Sequence, residues 1–119
     1  MTDFTGKTAA VTGSSGIGLG AALHLARSGA RVFLAGIDAG LNNEAAALGA
    51  GEGLDMTLHQ VDVADEDSVR SWAGQIAGET DVLHALVNAA GQQTYGTVED
   101  TGPADWDHSI AVNLRSCYL

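Results

Sequence analysis

The chain has 119 residues, 45% hydrophobic and only 5% aromatic, with 15 acidic side chains against 5 basic ones and a formal charge of −10. That suits a single globular domain with a real core, and the negative field sets aside nucleic acid and anionic membrane surfaces as partners. Cys117 is the one cysteine, so no intrachain disulfide forms, and with no signal-peptide pattern and no apolar run near about 18 residues a cytoplasmic protein is expected.

Thr8–Thr12 is a short apolar run that ends in a glycine-rich turn, and it reads as a buried strand. Ile17–Ser28 follows as a helix with Ala21, Ala22, Leu25 and Ala26 at helical spacing, ended by Gly29. Arg31–Ala35 is a second buried strand, and a weaker helix runs from about Leu41 to Leu48, stopped by a turn at Gly49-Ala50-Gly51. Asp55–Val61 reads as a third strand. Glu66–Ala77 is a helix with Val69, Trp72, Ala73 and Ile76 on one face. A fourth strand covers Leu83–Val87, and Pro103 opens a last helix at the position where a missing N–H costs nothing.

Strand and helix alternate throughout, and parallel crossovers are right-handed, so a doubly wound parallel α/β sheet is expected. The whole chain, 1–119, reads as one dinucleotide-binding module of Rossmann type. Ser116-Cys117-Tyr118-Leu119 keeps a helical apolar pattern with no capping glycine, so the domain is expected to be incomplete at its C-terminus, cut after the helix that follows the fourth strand. Cys117 is expected there as a small apolar filler.

Four features carry chemistry. Thr12-Gly13-Ser14-Ser15-Gly16-Ile17-Gly18 lies between the first strand and first helix, and Gly16-Ile17-Gly18-Leu19-Gly20-Ala21 also satisfies G-x-G-x-x-A. Glycine is needed there because a Cβ would hold the backbone away from a pyrophosphate, while the free N–H groups at the helix start face the phosphates. No G-K-[ST] follows, which disfavours a mononucleotide P-loop. Asn88-Ala89-Ala90-Gly91 ends the fourth strand, where small side chains leave room for a ligand. Asp62-Val63 ends the third strand, where an acid and a backbone amide could meet an adenine edge. Asn113 interrupts an apolar helical run, a poor place for asparagine, and is expected to point somewhere shielded with partners of its own.

In this order and spacing the four features resemble the short-chain dehydrogenase/reductase family over the whole chain, as does Trp106-Asp107 ahead of Val112-Asn113-Leu114. The resemblance implies a Rossmann-like fold and hydride transfer between a nicotinamide dinucleotide and a small-molecule alcohol or carbonyl substrate. It implies that Gly13, Ser15, Ile17 and Gly18 line the pyrophosphate, and that Asp62 and Val63 flank the adenine. Asn88, Ala89 and Gly91 would flank the ribose and nicotinamide, and Asn113 would be the family's catalytic asparagine. It further implies a homo-oligomer for the full-length form.

Two positions depart from the family pattern. Only Ser14 and Ser15 separate Gly13 from Gly16, one residue fewer than usual. After the second strand the chain reads Ala35-Gly36-Ile37-Asp38, with no arginine for a 2′-phosphate and with Asp38 two positions later than the usual acid. NAD is therefore expected over NADP, with Asp38 on the ribose.

The family's Ser and Tyr-x-x-x-Lys groups cannot be assembled from these residues. The one lysine is Lys7, Tyr95 is followed four residues later by Glu99, and Tyr118 stands beside the last residue. The 119-residue chain alone is thus expected to be inactive. A non-catalytic dinucleotide-binding or interaction module is the rival reading. His24, His59, His84 and His108 are scattered without ligand spacing, so no metal site is expected.

Overall fold

In the computed structural model, which describes residues 3–119, strands and helices alternate along the chain. The elements are β1 (Thr8–Thr12), α1 (Gly16–Arg27), β2 (Arg31–Gly36), α2 (Ala39–Gly51), β3 (Met56–Gln60), α3 (Glu66–Ala77), β4 (Ala85–Asn88) and α4 (Pro103–Ile110). A π-helical turn at Ala111–Arg115 and a last short helix, α5 (Ser116–Tyr118), follow. The four strands are parallel in the order β3-β2-β1-β4, with Val11 opposite both Leu34 and Val87. The expected doubly wound sheet is present.

The alternating side-chain directions of the strands divide the core into two layers. Ala9, Val11, Val32 and Leu34 pack on Ala22 and Ala26 of α1 and Ala45 of α2. Ala10, Phe33 and Ala35 turn to the other face and meet Trp72 and Ile76 of α3. Helices α1 and α2 therefore cover one face and α3 the other. The chain steps from β1 outward through β2 to β3, then returns across the sheet to β4. At that reversal, between β1 and β4, loops leave in opposite directions and open a crevice at the carboxyl ends of the strands.

Several boundaries differ from expectation. Helix α2 begins earlier, because the Asp38 carboxylate accepts from Leu41 N at 2.9 Å and caps it. It also runs through Gly49-Ala50-Gly51 instead of stopping there. Gly49 is buried within the helix, and a Cβ there would make ordinary van der Waals contact with Met56 at 3.4 Å, so this glycine lies inside the helix rather than in a turn. The left-handed residue that ends this segment is Gly53, at φ +67°. Beside it the Arg27 guanidinium forms a two-pronged ion pair with Glu52 and, by hydrogen bonding, holds that carboxyl below its ordinary range. Strand β4 starts at Ala85 rather than Leu83, since pairing with β1 begins at Ala9 opposite Ala85.

The last helix is not continuous. It is interrupted by the π-helical turn that carries Asn113, and α4 buries none of its side chains. Cys117 is exposed, not the buried filler expected, because α5 leaves an apolar groove open beneath it. Among the described residues no helix is long and apolar enough to cross a membrane.

Candidate functional site

A cleft of about 340 Å³ opens over the carboxyl ends of the strands. The turn after β1 forms one wall. Gly13 has φ +96°, and a Cβ on it would stand 3.1 Å from the backbone of Ala89 and Ala90. Gly16 has φ +55°, so both glycines of the shortened turn occupy the left-handed region. Behind them Gly18 is buried, and a Cβ there would run into the carbonyl oxygens of Gly13 and Thr12. The turn closes with one residue fewer by pressing backbone on backbone.

The start of α1 differs from those of α2 and α3. Ser15 is its N-cap, yet the Ser15 side chain bonds no backbone amide, and no acid lies in the first turn. Helix α2 is capped by Asp38, and α3 by Asp65 with Glu66 and Asp67 beside it. Only α1 of these three leaves its first N–H groups and the positive end of its dipole free for an anion, and its cap residue Ser15 lines the cleft. Ile17, 85% exposed, does not line the cleft.

The β4 side is held by a residue that motif reasoning left without a role. The Thr12 hydroxyl accepts hydrogen bonds from Ala89 N and Ala90 N, each at 3.2 Å, and fixes the two alanines against the glycine turn. Ala89 and Gly91 line the cleft. Asn88 does not: it sits opposite Thr12 in the register and faces the apolar groove on the other side of β4. Asn113 reaches the rim through its neighbour, accepting from Gln92 N at 2.8 Å and donating to Gln92 O at 2.7 Å. It is exposed rather than shielded, because the helix carrying it lies loosely on the sheet, but both ends of its amide are satisfied.

At the far end, Asp62 accepts from Ala64 N at 2.9 Å, and its own N–H donates to Ser68 Oγ at 3.0 Å, which holds Asp62 and Val63 on the cleft wall. Asp38 also lines the cleft, with one carboxylate oxygen committed to the α2 cap. A second unforeseen device lies beneath. Asn42 is buried and donates to Gly36 O at 2.9 Å and His59 O at 3.4 Å, tying the ends of β2 and β3 together. A Cβ on Gly36 would collide with Ser14 Oγ and Asn42 Oδ1. Asn42 lies in the first turn of α2, so the mid-helix signal that marks Asn113 does not mark it.

The cleft thus unites Gly13, Ser15, Asp38, Asp62, Val63, Ala89 and Gly91, with Gly18 behind the turn and Asn113 at the rim. Among the described residues no group of three His, Cys, Asp or Glu side chains is placed to hold a metal ion. A glycine turn pressed on a small-residue strand end, at the switch point of a parallel sheet, is one half of the diagnosis; the other half is a family model for short chain dehydrogenases that matches residues 7–119. The chain belongs to the short-chain dehydrogenase family.

Members of this family are oxidoreductases that bind NAD(P) and act on small molecules. A D-β-hydroxybutyrate dehydrogenase of Cupriavidus necator is 39% identical over 117 residues, covering 95% of this chain and 44% of that protein. A D-threitol dehydrogenase of Mycolicibacterium smegmatis is 41% identical over 119 residues, covering 96% and 44%. A metagenomic short-chain oxidoreductase solved in complex with NADP superposes with a TM-score of 0.91 at 32% identity, covering 98% of this chain and 54% of that one. This short-chain dehydrogenase chain spans a little under half the length of the two curated relatives.

Proposed function

We propose that this chain is the cofactor-binding part of an NAD-dependent oxidoreductase that acts on an alcohol/carbonyl pair. The observation that carries the reading is the uncapped start of α1 beside a glycine turn with no room for a Cβ at Gly13 or Gly18. In this reading Gly13 and Gly18 let the backbone approach the pyrophosphate, and Ser15 and Ile17 offer it their N–H groups. Asp62 and Val63 take the adenine. Asn88, Ala89 and Gly91 serve the ribose and nicotinamide side, Asn88 through its backbone because its side chain faces away from the cleft. Asn113 positions Gln92 at the rim, and is the proposed catalytic asparagine. The nicotinamide, when bound, supplies the atom that gives or takes the hydride.

The preference for NAD follows from charge. Asp38 and Asp62 line the cleft and, among the described residues, no lysine or arginine does. A neutral ribose 2′-hydroxyl can donate to the Asp38 carboxylate, whereas a 2′-phosphate would meet it as a like charge with no counterion. Calorimetric titration of the protein is expected to show NAD binding at least about tenfold tighter than NADP, a difference of roughly 1.4 kcal/mol. NADP binding as tight as NAD would overturn the assignment.

The chain by itself is proposed to be inactive. Lys7 precedes β1, at the opposite end of that strand from the cleft, and Tyr95 and Tyr118 are 84% and 86% exposed. No tyrosine–lysine pair is therefore at hand to exchange a proton with a substrate oxygen.

A further inference from the structure

The side chains of His108 and Gln92, on the α4 side of the cleft, have no role in the assignment above. His108 and Gln92 both line the cleft there, and His108 Nε2 lies 2.6 Å from Gln92 Oε1. An amide oxygen only accepts, so the imidazole donates from Nε2. With Oε1 engaged, the Gln92 carboxamide is turned so that its NH₂ has no acceptor among the described residues. Its main chain is fixed as well, since Asn113 bonds both Gln92 N and Gln92 O. Gln92 is thus held at three points, which reduces the ordering cost of any hydrogen bond its NH₂ makes to a ligand.

The charge balance of the cleft shows which ligand group needs such a donor. Two carboxylates, Asp38 and Asp62, line it within a chain of net charge −10. Among the described lining residues no lysine or arginine offsets them. Two more acids, Asp105 and Asp107, lie on the helix that carries His108, and Arg115, beyond the π-helical turn, is turned toward Glu66 and the carbonyl of Ala64. A dinucleotide brings a doubly charged pyrophosphate into this field, and the turn that meets it is one residue short, with fewer backbone N–H groups to offer.

We infer that His108 and Gln92 form a second, side-chain wall for the pyrophosphate, with His108 orienting the Gln92 carboxamide so that its NH₂ supplies a donor that the short turn lacks. The inference rests on the dinucleotide reading of the cleft. His108 and Gln92 are binding residues in this account, and no bond is made or broken by them.

The test is titration of NAD, ADP-ribose and adenosine against the unsubstituted protein and the His108→Ala, Gln92→Leu and His108→Arg variants. His108→Ala and Gln92→Leu are expected to weaken NAD and ADP-ribose about tenfold and to leave adenosine unchanged. His108→Arg is expected to bind NAD within twofold of the unsubstituted protein or more tightly, because a guanidinium N–H keeps a donor for Gln92 Oε1. NAD affinities within twofold of the original in both loss variants would overturn the inference while leaving the dinucleotide reading intact. Equal losses for adenosine and ADP-ribose would do the same, since damage to the loop rather than a phosphate contact would then explain them. An arginine variant as weak as the alanine one would overturn the orienting role given to the donor at position 108. No NAD binding by the unsubstituted, folded protein would overturn the dinucleotide reading itself and the inference with it.

Discussion

A single methyl group added at Gly18 is expected to abolish measurable NAD binding and to destabilise the fold by about 2–3 kcal/mol. Gly18 lies in the first turn of α1, and its would-be Cβ points at the carbonyl oxygens of Gly13 and Thr12. Those are backbone atoms at the end of a buried strand, so neither can rotate out of the way. Helix α1 must lift from β1, and the turn at Gly13 must open. The consequence is felt twice, in packing and in the position of the free N–H groups at the helix start. Thermal unfolding of Gly18→Ala is expected about 10 °C below the unsubstituted protein, at roughly 4 °C per kcal/mol. Gly20 supplies the control: it lies on the same helix with open space around its Cβ position, so Gly20→Ala is expected to be neutral or to stabilise by about 0.5–1 kcal/mol. Equal stability of Gly18→Ala and Gly20→Ala would remove the close-packing account of the turn.

Thr12→Val is expected to cost about 2–4 kcal/mol, although it preserves shape and removes only one oxygen. That oxygen accepts from both Ala89 N and Ala90 N, and Thr12 itself is buried at the end of β1. Without it two half-buried amide groups lose their acceptor together. Water reaching them would have to enter between the glycine turn and the β4 end, which lies so near Gly13 that a Cβ there would stand 3.1 Å from it. NAD affinity is expected to fall about tenfold or more, because Ala89 and Gly91 then lose their fixed place against the turn. Thr12→Ser, which keeps the hydroxyl, is expected to retain most of both stability and affinity. Denaturant unfolding and calorimetry on the two variants check this pair; a valine variant as stable as the serine one would contradict it.

The fold was legible because its strands announce themselves twice, as apolar runs and as parts of an alternating strand–helix order. Val11, Val32, Phe33 and Leu34 are the largest fully buried side chains, and all lie in the two runs that read most clearly as strands. Boundaries were less legible where one residue type serves two purposes. Gly49 reads as a helix stop from sequence, yet it is a buried residue inside α2. Asp38 reads as a ribose ligand, and its bond to Leu41 N shows that it also starts α2.

At the site, backbone requirements were visible and side-chain partnerships were not. Gly13 and Gly18 stand out because a Cβ is intolerable there, a local property that sequence records. The bonds from Thr12 to the β4 end and from Asn113 to Gln92 join residues 77 and 21 positions apart, and no local pattern encodes them. Asn113 was noticed for its poor helix propensity, but the π-helical turn that accommodates it, a feature often found at functional positions, comes from the tertiary arrangement. Asn88 shows the limit from the other side: the motif places it at the cleft, while strand alternation turns its side chain to the opposite face.

The central claim is that a dinucleotide lies across the carboxyl ends of the strands, over the uncapped start of α1. Its most direct test is a two-dimensional amide NMR spectrum of the protein recorded during titration with NAD. The account predicts saturable shifts at the amides of Gly13, Ser15, Ile17, Asp62, Ala89 and Gly91, with the amides around Trp72, Ile76 and Leu86 in the apolar groove left in place. A well-dispersed spectrum that does not respond to NAD, or one whose shifts gather at the groove instead, would contradict it.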